Sequence, residues 1–470
     1  MKSTRLKYIL LATTLTGVVA SCRVTDVYQR PNVVADSLYR EESSTRDSSI
    51  AQLSWKELFT DPQLQALIEE GIAHNLDLKN AVLQIAQSSA TLRQARLAFY
   101  PSVDAGIQAT DMRQSAAALN FPDGLANQFQ LETTTYQASI SASWEFNIWG
   151  QLTSLKRQAL AEFLQSEAAK RAVQTRLVAD IATSYYNLLA LDKQLEVSEK
   201  TVQNRIVDVE TMKALKESAV VDGAAVVQSE ANRYAVEVTI PDLQQSILET
   251  ENALAILLGR GPTHIDRGRL DEVQTIETLA TGVSSALLVN RPDVQQAELA
   301  FQSAFENVNV ARSYFYPTIT LTAQAGLSTL EIRNFFDNSI FYNLIGGLTQ
   351  PIFNRGQNKA RYQIAQAQKL ESLNSYQLSI LTAAQEVSNA LASHKNARAK
   401  HDLREKQITF SKKAVEFTEA LLQYQSSTTF TDVLSSQQNL LSAELSEVSD
   451  RLQELQAVVN LYRSLGGGWR

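Results

Sequence analysis

The sequence has few of the residues that build metal, redox or disulfide sites. Its 470 residues include one cysteine, Cys22, and four histidines, which are His74, His264, His394 and His401. A single cysteine cannot form a disulfide within the chain, and the four histidines lack the spacing of zinc ligands. We therefore expect neither a metal site nor a cofactor.

Sequence motifs of catalysis and of phosphate binding are missing as well. The chain has no G-x-S-x-G nucleophile elbow. The run Gly259-Arg260-Gly261-Pro262 matches the glycine and proline that commonly end a helix, rather than a phosphate-binding loop. The formal net charge is −7, and the sequence supplies no basic surface for phosphates. We expect no enzymatic activity and no nucleic-acid partner.

The first 21 residues have the pattern of an export signal. Lys2, Arg5 and Lys7 precede the apolar stretch YILLATTLTGVVA, which is too short to span a bilayer, and small residues follow up to Cys22. Removing residues 1–21 takes the formal net charge from −7 to −10. The sequence VASC resembles a bacterial lipobox, which predicts lipid attachment at Cys22. The alternative is an incidental cysteine beside an ordinary cleavage site.

Proline is absent from residues 123–240 and from 352 to the C-terminus, although the chain has nine prolines. Stretches of this kind permit very long helices, because proline breaks the interior of a helix. Apolar residues recur at three- and four-residue spacing along both stretches, as at Leu177, Ile181 and Tyr185. The pattern predicts long helices at about 151–219, 225–258, 356–425 and 431–465.

Two short segments interrupt the helical patterns at matching places. They are Asp222-Gly223 and the polar run at 426–429. We expect each long helix to turn back at its interruption. Pro241 falls inside the first returning helix and is expected to kink it.

The chain contains a two-fold internal repeat. ARLAFYPSVDAGIQA at 95–109 and ARSYFYPTITLTAQA at 311–325 share Ala-Arg, Phe-Tyr-Pro and Gln-Ala at an offset of 216 residues. Apolar and polar residues alternate after each proline and again at 136–146, which is the period of a strand with one apolar face. The alternation predicts four strands, at about 101–112, 134–147, 317–328 and 340–352.

Strands of this length are long enough to cross a bilayer. A sheet of four would leave two unpaired edges in lipid, so several copies of the chain would have to combine their strands into a closed barrel. A water-soluble β-layer with one dry face fits the alternation nearly as well. Export and a lipid anchor favour membrane strands.

Several stretches resemble the signature segments of TolC-type outer-membrane factors, and most of all the lipoprotein branch found in multidrug efflux systems. They are WKELFTDPQLQALIEEGIAHNLDL (55–78), IPDLQQSILETENALAILLGRGP (240–262), SALLVNRPDVQQAE (285–298) and NLYRSLGGGW (460–469). The resemblance divides the chain after its signal into a lipid-anchored extension, a first efflux repeat, a linker and a second efflux repeat. Their bounds are 22–54, 55–262, 263–284 and 285–470.

The resemblance implies a mixed α and β membrane protein that acts as a trimer. Each protomer would give four strands to one twelve-stranded β-barrel, and its long helices would form a periplasmic α-barrel. The implied function is a passive conduit for drugs or other small molecules in the outer membrane of a Gram-negative bacterium. The implied partners are two further copies of the chain, a periplasmic adaptor, an inner-membrane pump and outer-membrane lipid.

Candidate site residues follow from the same resemblance. The helical tips near Asp222 and near 428–436 would meet the adaptor and close the channel. Some relatives carry Asp where this chain has Ser435, and the carboxylate nearest to Ser435 is Asp432. Asp432 is therefore either a gate residue or a residue at the start of a helix, where the dipole favours an acid.

A second group of candidates lies where the strands would meet the membrane surface. Aromatic side chains with a polar group suit this interface, and proline ends the helix before each strand. The candidates are Tyr100, Pro101, Trp149, Tyr316 and Pro317.

Two other functions stay open from the residues alone. One is a structural lipoprotein with long helices and a soluble β-layer, and the other is a secreted enzyme. The first would form no water-filled channel, and the second would lose an activity when a single carboxylate is changed.

Overall fold

The computed structural model describes residues 24–32, 53–119, 130–273, 291–424 and 429–469. These residues fall into two compact units. The strand unit lies within residues 1–31, 86–164 and 298–374, and the helical unit lies within residues 32–85, 165–297 and 375–470.

Long helices and one antiparallel sheet make up the described residues, which confirms the predicted fold class. The helices are α1 (Trp55–Leu58), α2 (Pro62–His74), α3 (Leu76–Leu97), α4 (Gln151–Glu217), α5 (Gly223–Glu237), α6 (Thr239–Leu257), α7 (Pro292–Ser313), α8 (Gln357–Tyr424) and α9 (Phe430–Ser464). The strands are β1 (Ser102–Arg113), β2 (Glu132–Glu145), β3 (Thr318–Thr329) and β4 (Ile340–Thr349). The two longest helices, α4 and α8, have 67 and 68 residues.

The strand unit is organised around a sheet with the order β1-β2-β3-β4. Its register aligns the apolar positions of neighbouring strands. Ala105 is opposite Ile140, Ile140 is opposite Ala325, and Ala325 is opposite Tyr342. Because side chains alternate between the two faces of a strand, such rows form one apolar face across all four strands.

The other face of the sheet is mainly polar, and on this face one glycine allows β2 and β3 to approach closely. Ser139 of β2 lies opposite Gly326 of β3. A Cβ atom at residue 326 would overlap the carbonyl oxygen of Ala138 and lie 2.7 Å from the Cα of Ser139. The two strands can approach this closely only because residue 326 has no side chain.

The sheet has open edges and an uncovered apolar face within the described part of the chain. There, β1 pairs with β2 alone and β4 pairs with β3 alone. On the apolar face, Ile107 of β1 is 88% exposed and Tyr342 of β4 is 86% exposed. A face of this kind needs an apolar surrounding, which the described residues do not provide.

The helical unit is built on the apolar stripe of α4. Ile181, Tyr185 and Leu188 recur at helical spacing, and each is fully buried, together with Leu64 of α2 and Leu254 of α6.

Tyr185 is also hydrogen-bonded within this core. Its hydroxyl donates to the Asp61 carboxylate at 2.5 Å and accepts from the Gly268 N–H at 3.2 Å. Burial, and then the bond to Asp61, raise the pKa of Tyr185.

The helix expected at about 225–258 is divided in two. Its parts are α5 and α6, and Val238 lies between them. Pro241 has no N–H to donate to the carbonyl of Glu237, four residues earlier, and this missing bond accounts for a break just before the proline. The backbone of Val238 keeps helical angles, with φ −65° and ψ −21°.

The described part of the expected linker, residues 263–273, is packed into the helical unit. Ile265 and Leu270 are buried in its core. Arg267 donates to both carboxylate oxygens of Asp192 on α4, at 2.5 and 2.9 Å, and also to Glu251 of α6. This segment is held by apolar contacts and by ion pairs, so it does not act as a free connection.

None of the helices in the described ranges is long and apolar enough to cross a membrane.

The close approach at Gly326 leads to a testable expectation. In Gly326→Ala, the new methyl group meets backbone atoms that cannot move aside like a side chain, so we expect a destabilisation of about 1–3 kcal/mol. The measurement is the midpoint of thermal unfolding of the purified protein in detergent. Gly106→Ala on β1 is the matched control, because a Cβ there meets no atom within 4 Å. Equal midpoints for the two variants would contradict the proposed constraint.

Candidate membrane interface and helical turns

The two helix-to-strand connections of the strand unit are built alike. Between α3 and β1 lies Phe99-Tyr100-Pro101, and between α7 and β3 lies Phe315-Tyr316-Pro317. Tyr100 is 70% exposed, and Tyr316 is 37% exposed. Each proline stands immediately before its strand, where the absence of an N–H does not interrupt the sheet.

Trp149 contacts two of the other four candidate interface residues, Tyr316 and Pro317. Its indole Nε1 donates to the carbonyl oxygen of Pro317 at 2.7 Å, and its ring lies 5.1 Å from that of Tyr316. At the first connection, Trp144 donates to the carbonyl oxygen of Phe99 at 3.0 Å, close to Tyr100 and Pro101. Trp144 was not among the candidates, although its place in the alternating strand could have drawn attention to it.

The return from strand to helix uses the same backbone device in both repeats. Gly150 precedes α4 and Gly356 precedes α8, and both have φ near +80°. This conformation is easy for glycine and strained for other residues. The side-chain oxygen of Asn147 then accepts the N–H of Leu152 at 2.9 Å and so caps the start of α4.

Asp222 lies in the turn between α4 and α5 and caps the second of these helices. Its carboxylate accepts the N–H of Ala225 at 3.1 Å. The turn also holds Ala219 at φ +55°, a conformation in which glycine is usual. Val220 and Val227 expose two thirds of their surface here, at 67% and 66%.

Asp432 lies in the first turn of α9 and is engaged by Thr429. Its carboxylate accepts both the backbone N–H and the hydroxyl of Thr429 at 2.8 Å. These two bonds lower the pKa of Asp432. The contacts are those of a capping box, so the geometry supports the interpretation as a helix-start residue, and a gate role stays a prediction.

Ser435 is exposed and takes part in the same surface as Asp432. With Phe410 and Ala414 of α8 they line a groove of about 530 Å³. Its neighbour Ser436 is buried and hydrogen-bonded to Thr418 of α8, with 2.8 Å between the hydroxyl oxygens. The structure thus places Ser435 on a surface and Ser436 in a contact between helices.

A polar chain across three helices was missed by the sequence analysis. Arg205 of α4, which is 3% exposed, donates to the side-chain oxygen of Gln437 on α9. Gln437 in turn donates to Glu419 of α8 at 2.9 Å. Arg205 also pairs with Asp208 at 3.5 Å. Burial raises the pKa of Asp208, and the Arg205 charge opposes this rise.

One feature of the sequence indicates that Arg205 needs polar partners. Arg205 falls between Val202 and Val209, which are both buried, so a charge occupies the apolar stripe of α4. Such a charge requires partners, because burying it alone is costly. What the sequence could not show was that the partners come from α8 and α9.

Cys22 lies outside the described residues, as do 33–52 and 274–290. Within the described ranges, no group of three or more His, Cys, Asp or Glu residues is placed to hold a metal ion. His264 contacts the carboxylate of Glu251 at 2.8 Å.

The chain is similar to outer-membrane proteins of efflux systems along nearly its whole length. The family model for outer membrane efflux proteins matches residues 67–260 and 283–467. The toluene efflux pump outer membrane protein TtgC of Pseudomonas putida is 30% identical, over 96% of this chain and 94% of its own. The cation efflux system protein CusC of Escherichia coli O157:H7 is 26% identical over the full length of both.

Solved structures share the fold. The open state of the MtrE outer membrane channel of Neisseria gonorrhoeae superimposes with a TM-score of 0.82 and 26% identity, covering 96% of this chain and 99% of that one. The CmeC outer membrane channel of Campylobacter jejuni gives a TM-score of 0.85 at 20% identity, with 95% of each chain covered.

The capping bonds of Asp432 predict a pH-dependent helix start. The folded-state pKa is lowered from 3.8, so the stabilisation is present above about pH 4 and is lost as the pH falls through the lowered pKa. In Asp432→Asn this acid-sensitive part should disappear. The measurement is hydrogen exchange in the first turn of α9 between about pH 3 and pH 7. Asp402→Asn, an exposed position on α8, is the control, and identical profiles for the two variants would contradict the capping role.

Proposed function

Because the chain belongs to the outer membrane efflux protein family, we propose that it works as the passive, trimeric outer-membrane channel of a tripartite efflux system. The observation that carries this proposal is the sheet of the strand unit. It has one apolar face, one mainly polar face and two open edges. A sheet of this kind can lie in lipid only as part of a closed barrel with a wet interior.

Closure by identical copies satisfies the open edges. In a trimer, β1 of one copy would pair with β4 of the next, and three copies would supply twelve strands. The apolar positions of β2 run from Tyr136 to Trp144, which is about 27 Å of strand at 3.4 Å per residue. Tilted by about 40°, this length corresponds to about 21 Å, close to the apolar band of outer-membrane barrels.

The cargo is proposed to be set by the pump and not by the channel. The relatives carry names that refer to toluene, antibiotics, pyoverdine and cations. These cargoes share little chemistry, whereas the channels share one fold. We infer that this chain passes drugs or other small molecules that are chosen at the inner membrane.

The turns between the helices are the proposed contact for the adaptor and the proposed gate. Val220 and Val227 offer an apolar surface beside Asp222, which suits a protein partner. Around Asp432 and Ser435, the chain from Arg205 through Gln437 to Glu419 holds α4, α9 and α8 together. If the channel opens at these turns, either these hydrogen bonds break or α4, α8 and α9 move together as one unit.

Gln437→Ala tests the conduit and its gate in one design. We propose that the arrangement of α4, α8 and α9 in this structure is the closed one. This variant loses the bonds to α4 and α8, which together stabilise that arrangement by at least about 1 kcal/mol, so the closed-to-open ratio should fall about fivefold. The measurement is single-channel recording in planar bilayers with protein extracted from outer membranes, combined with its oligomeric mass. Gln438→Ala, the exposed neighbour, is the control.

The possible outcomes separate the hypotheses. A trimer with a water-filled conductance that rises in Gln437→Ala supports both conduit and gate. A conductance that is equal in the two variants would exclude this gate and keep the conduit. A protein without any conductance would instead favour the structural lipoprotein.

A lipid anchor at Cys22 and the division into extension, repeats and linker remain proposals. The two matched family segments, 67–260 and 283–467, support a repeat on each side of the linker. For the anchor, the export signal and the VASC sequence are the support.

Cys22→Ala should abolish incorporation of labelled palmitate in growing cells. It removes the only thiol of the chain, and therefore the only site at which a thioether-linked lipid can form. Ser21→Ala keeps the cysteine and serves as the control. Palmitate labelling that persists in Cys22→Ala would refute the anchor.

A further inference from the structure

The segment of residues 24–31, which we name the N-terminal strap, lies along α7 in the strand unit. Its contacts on α7 progress regularly in the opposite chain direction. Arg30 pairs with Glu298 at 2.5 Å, the ring of Tyr28 contacts those of Phe301 and Phe305, and Asp26 contacts Asn309 and Arg312.

The spacing of these contacts has a simple geometric basis. Two residues of extended chain advance by about 6.6 Å, and four residues of helix advance by about 6 Å. Every second strap residue therefore meets the next turn of α7. An eight-residue segment follows four turns of the helix without losing its register.

Asn309 fixes the strap through the main chain of Asp26. The Asp26 N–H donates to Asn309 Oδ1 at 3.0 Å, and Asn309 Nδ2 donates to the Asp26 carbonyl at 3.0 Å and to Glu306 at 3.1 Å. Asn309 is 1% exposed, so its amide depends on these partners. Paired donation and acceptance of this kind copies one step of a β-ladder.

Arg312 adds a second hold at the end of α7. Its Nη1 donates to the carbonyl of Val24 at 3.2 Å and to the Asp26 carboxylate at 2.8 Å. Thr25 lies beside Gly150, which precedes α4. A Cβ atom added to Gly150 would be 3.1 Å from the methyl carbon of Thr25. Val24 and Thr25 are thus placed beside the connection where Trp149 stacks on Tyr316.

The site belongs to one repeat only among the described residues. At the offset of 216, the positions of Asn309 and Arg312 on α7 correspond to Arg93 and Arg96 on α3. Both arginines are exposed. Arg312 thus has an identical counterpart on α3, but Asn309 has none, and Glu298, which pairs with Arg30, corresponds to Val82. The repeat alone therefore does not account for the strap contacts.

From these contacts, we propose that the strap is a positioning device for the lipid anchor. It holds a lipidated Cys22 at the level of the aromatic end of the sheet, so that acyl chains and strands enter the membrane at the same depth. Cys22 is two residues before Val24, a distance of at most about 7 Å. If residues 22–52 formed a flexible tether of 31 residues, its root-mean-square end-to-end distance would be about 30 Å, and the anchor would have no fixed position. The proposal rests on the proposed lipidation.

The test uses a spin label on the strap in proteoliposomes. Val27→Cys introduces a thiol at a site that is 53% exposed, between two held residues. With Cys22 acylated, this is the only free thiol of the chain. Label mobility and membrane depth are measured by electron paramagnetic resonance, with a label at Ser102→Cys, the first residue of β1, as the reference for depth.

We expect a slowly moving label at position 27 with a single depth close to that of the label at position 102. Asn309→Ala combined with Arg312→Ala should make the label mobile and spread its depth. Arg93→Ala combined with Arg96→Ala, on α3, should leave both unchanged. Asp26→Pro is a second variant that should release the strap, because it removes the N–H of residue 26 and leaves α7 unchanged. It tests the release of the strap even if the double variant folds poorly.

The outcomes distinguish the strap from the anchor. One labelled thiol with a mobile label in the unaltered strap would overturn the positioning role. Mobility that does not change in either releasing variant would do the same. Two labelled thiols would show that Cys22 is not acylated, and the positioning proposal would fall together with the anchor.

Discussion

Hydrogen bonding at the edges of the sheet is the constraint on which the rest of the structure depends. β1 and β4 each present a row of N–H and C=O groups that the described chain does not pair, while the apolar face excludes water as the natural surrounding. In lipid these groups have no solvent partner, and the proposed barrel pairs them with the edge strands of neighbouring copies. The close approach at Gly326 lies on the mainly polar face, which is the inner face of the proposed barrel.

The connections at the ends of the strands join the sheet to the long helices. Each helix must end before its strand and start again after it, and the chain does so with proline before the strand and a left-handed glycine after it. Gly150 and Gly356 adopt the same backbone angle in the two repeats. Trp144 and Trp149 each donate to a carbonyl oxygen of these connections, so the indole N–H groups and two main-chain acceptors are satisfied there.

Local patterns were sufficient to predict much of this architecture. The alternation places Ile140 and Ala325 on the apolar faces of their own strands, and the register sets these two residues opposite each other. Helical spacing at Ile181 and Tyr185 located the core stripe of α4. Thr429 and Asp432, three residues apart, carry their own capping signal, although Asp is less usual there than Glu.

What the sequence could not predict are contacts between distant parts of the chain. Arg205 meets Gln437 across 232 residues, and Asp26 meets Asn309 across 283. Nothing in either local segment specifies the partner, since a buried Arg or Asn indicates only that some partner exists. The division of the returning helix at Val238 is different, because the position of Pro241 alone fixes which carbonyl loses its donor, and the sequence predicts a kink there.

The strap also affects the symmetry of the proposed assembly. Two repeats in each of three copies would give a ring of six nearly equivalent helix-to-strand junctions. Each copy has one strap, which binds Asn309 of α7 through the main chain of Asp26, and the corresponding residue on α3 is Arg93, so only every second junction would receive a strap. At its rim the ring would therefore be three-fold, with three anchored and three bare junctions in alternation, and lipids around the channel would meet two kinds of neighbour.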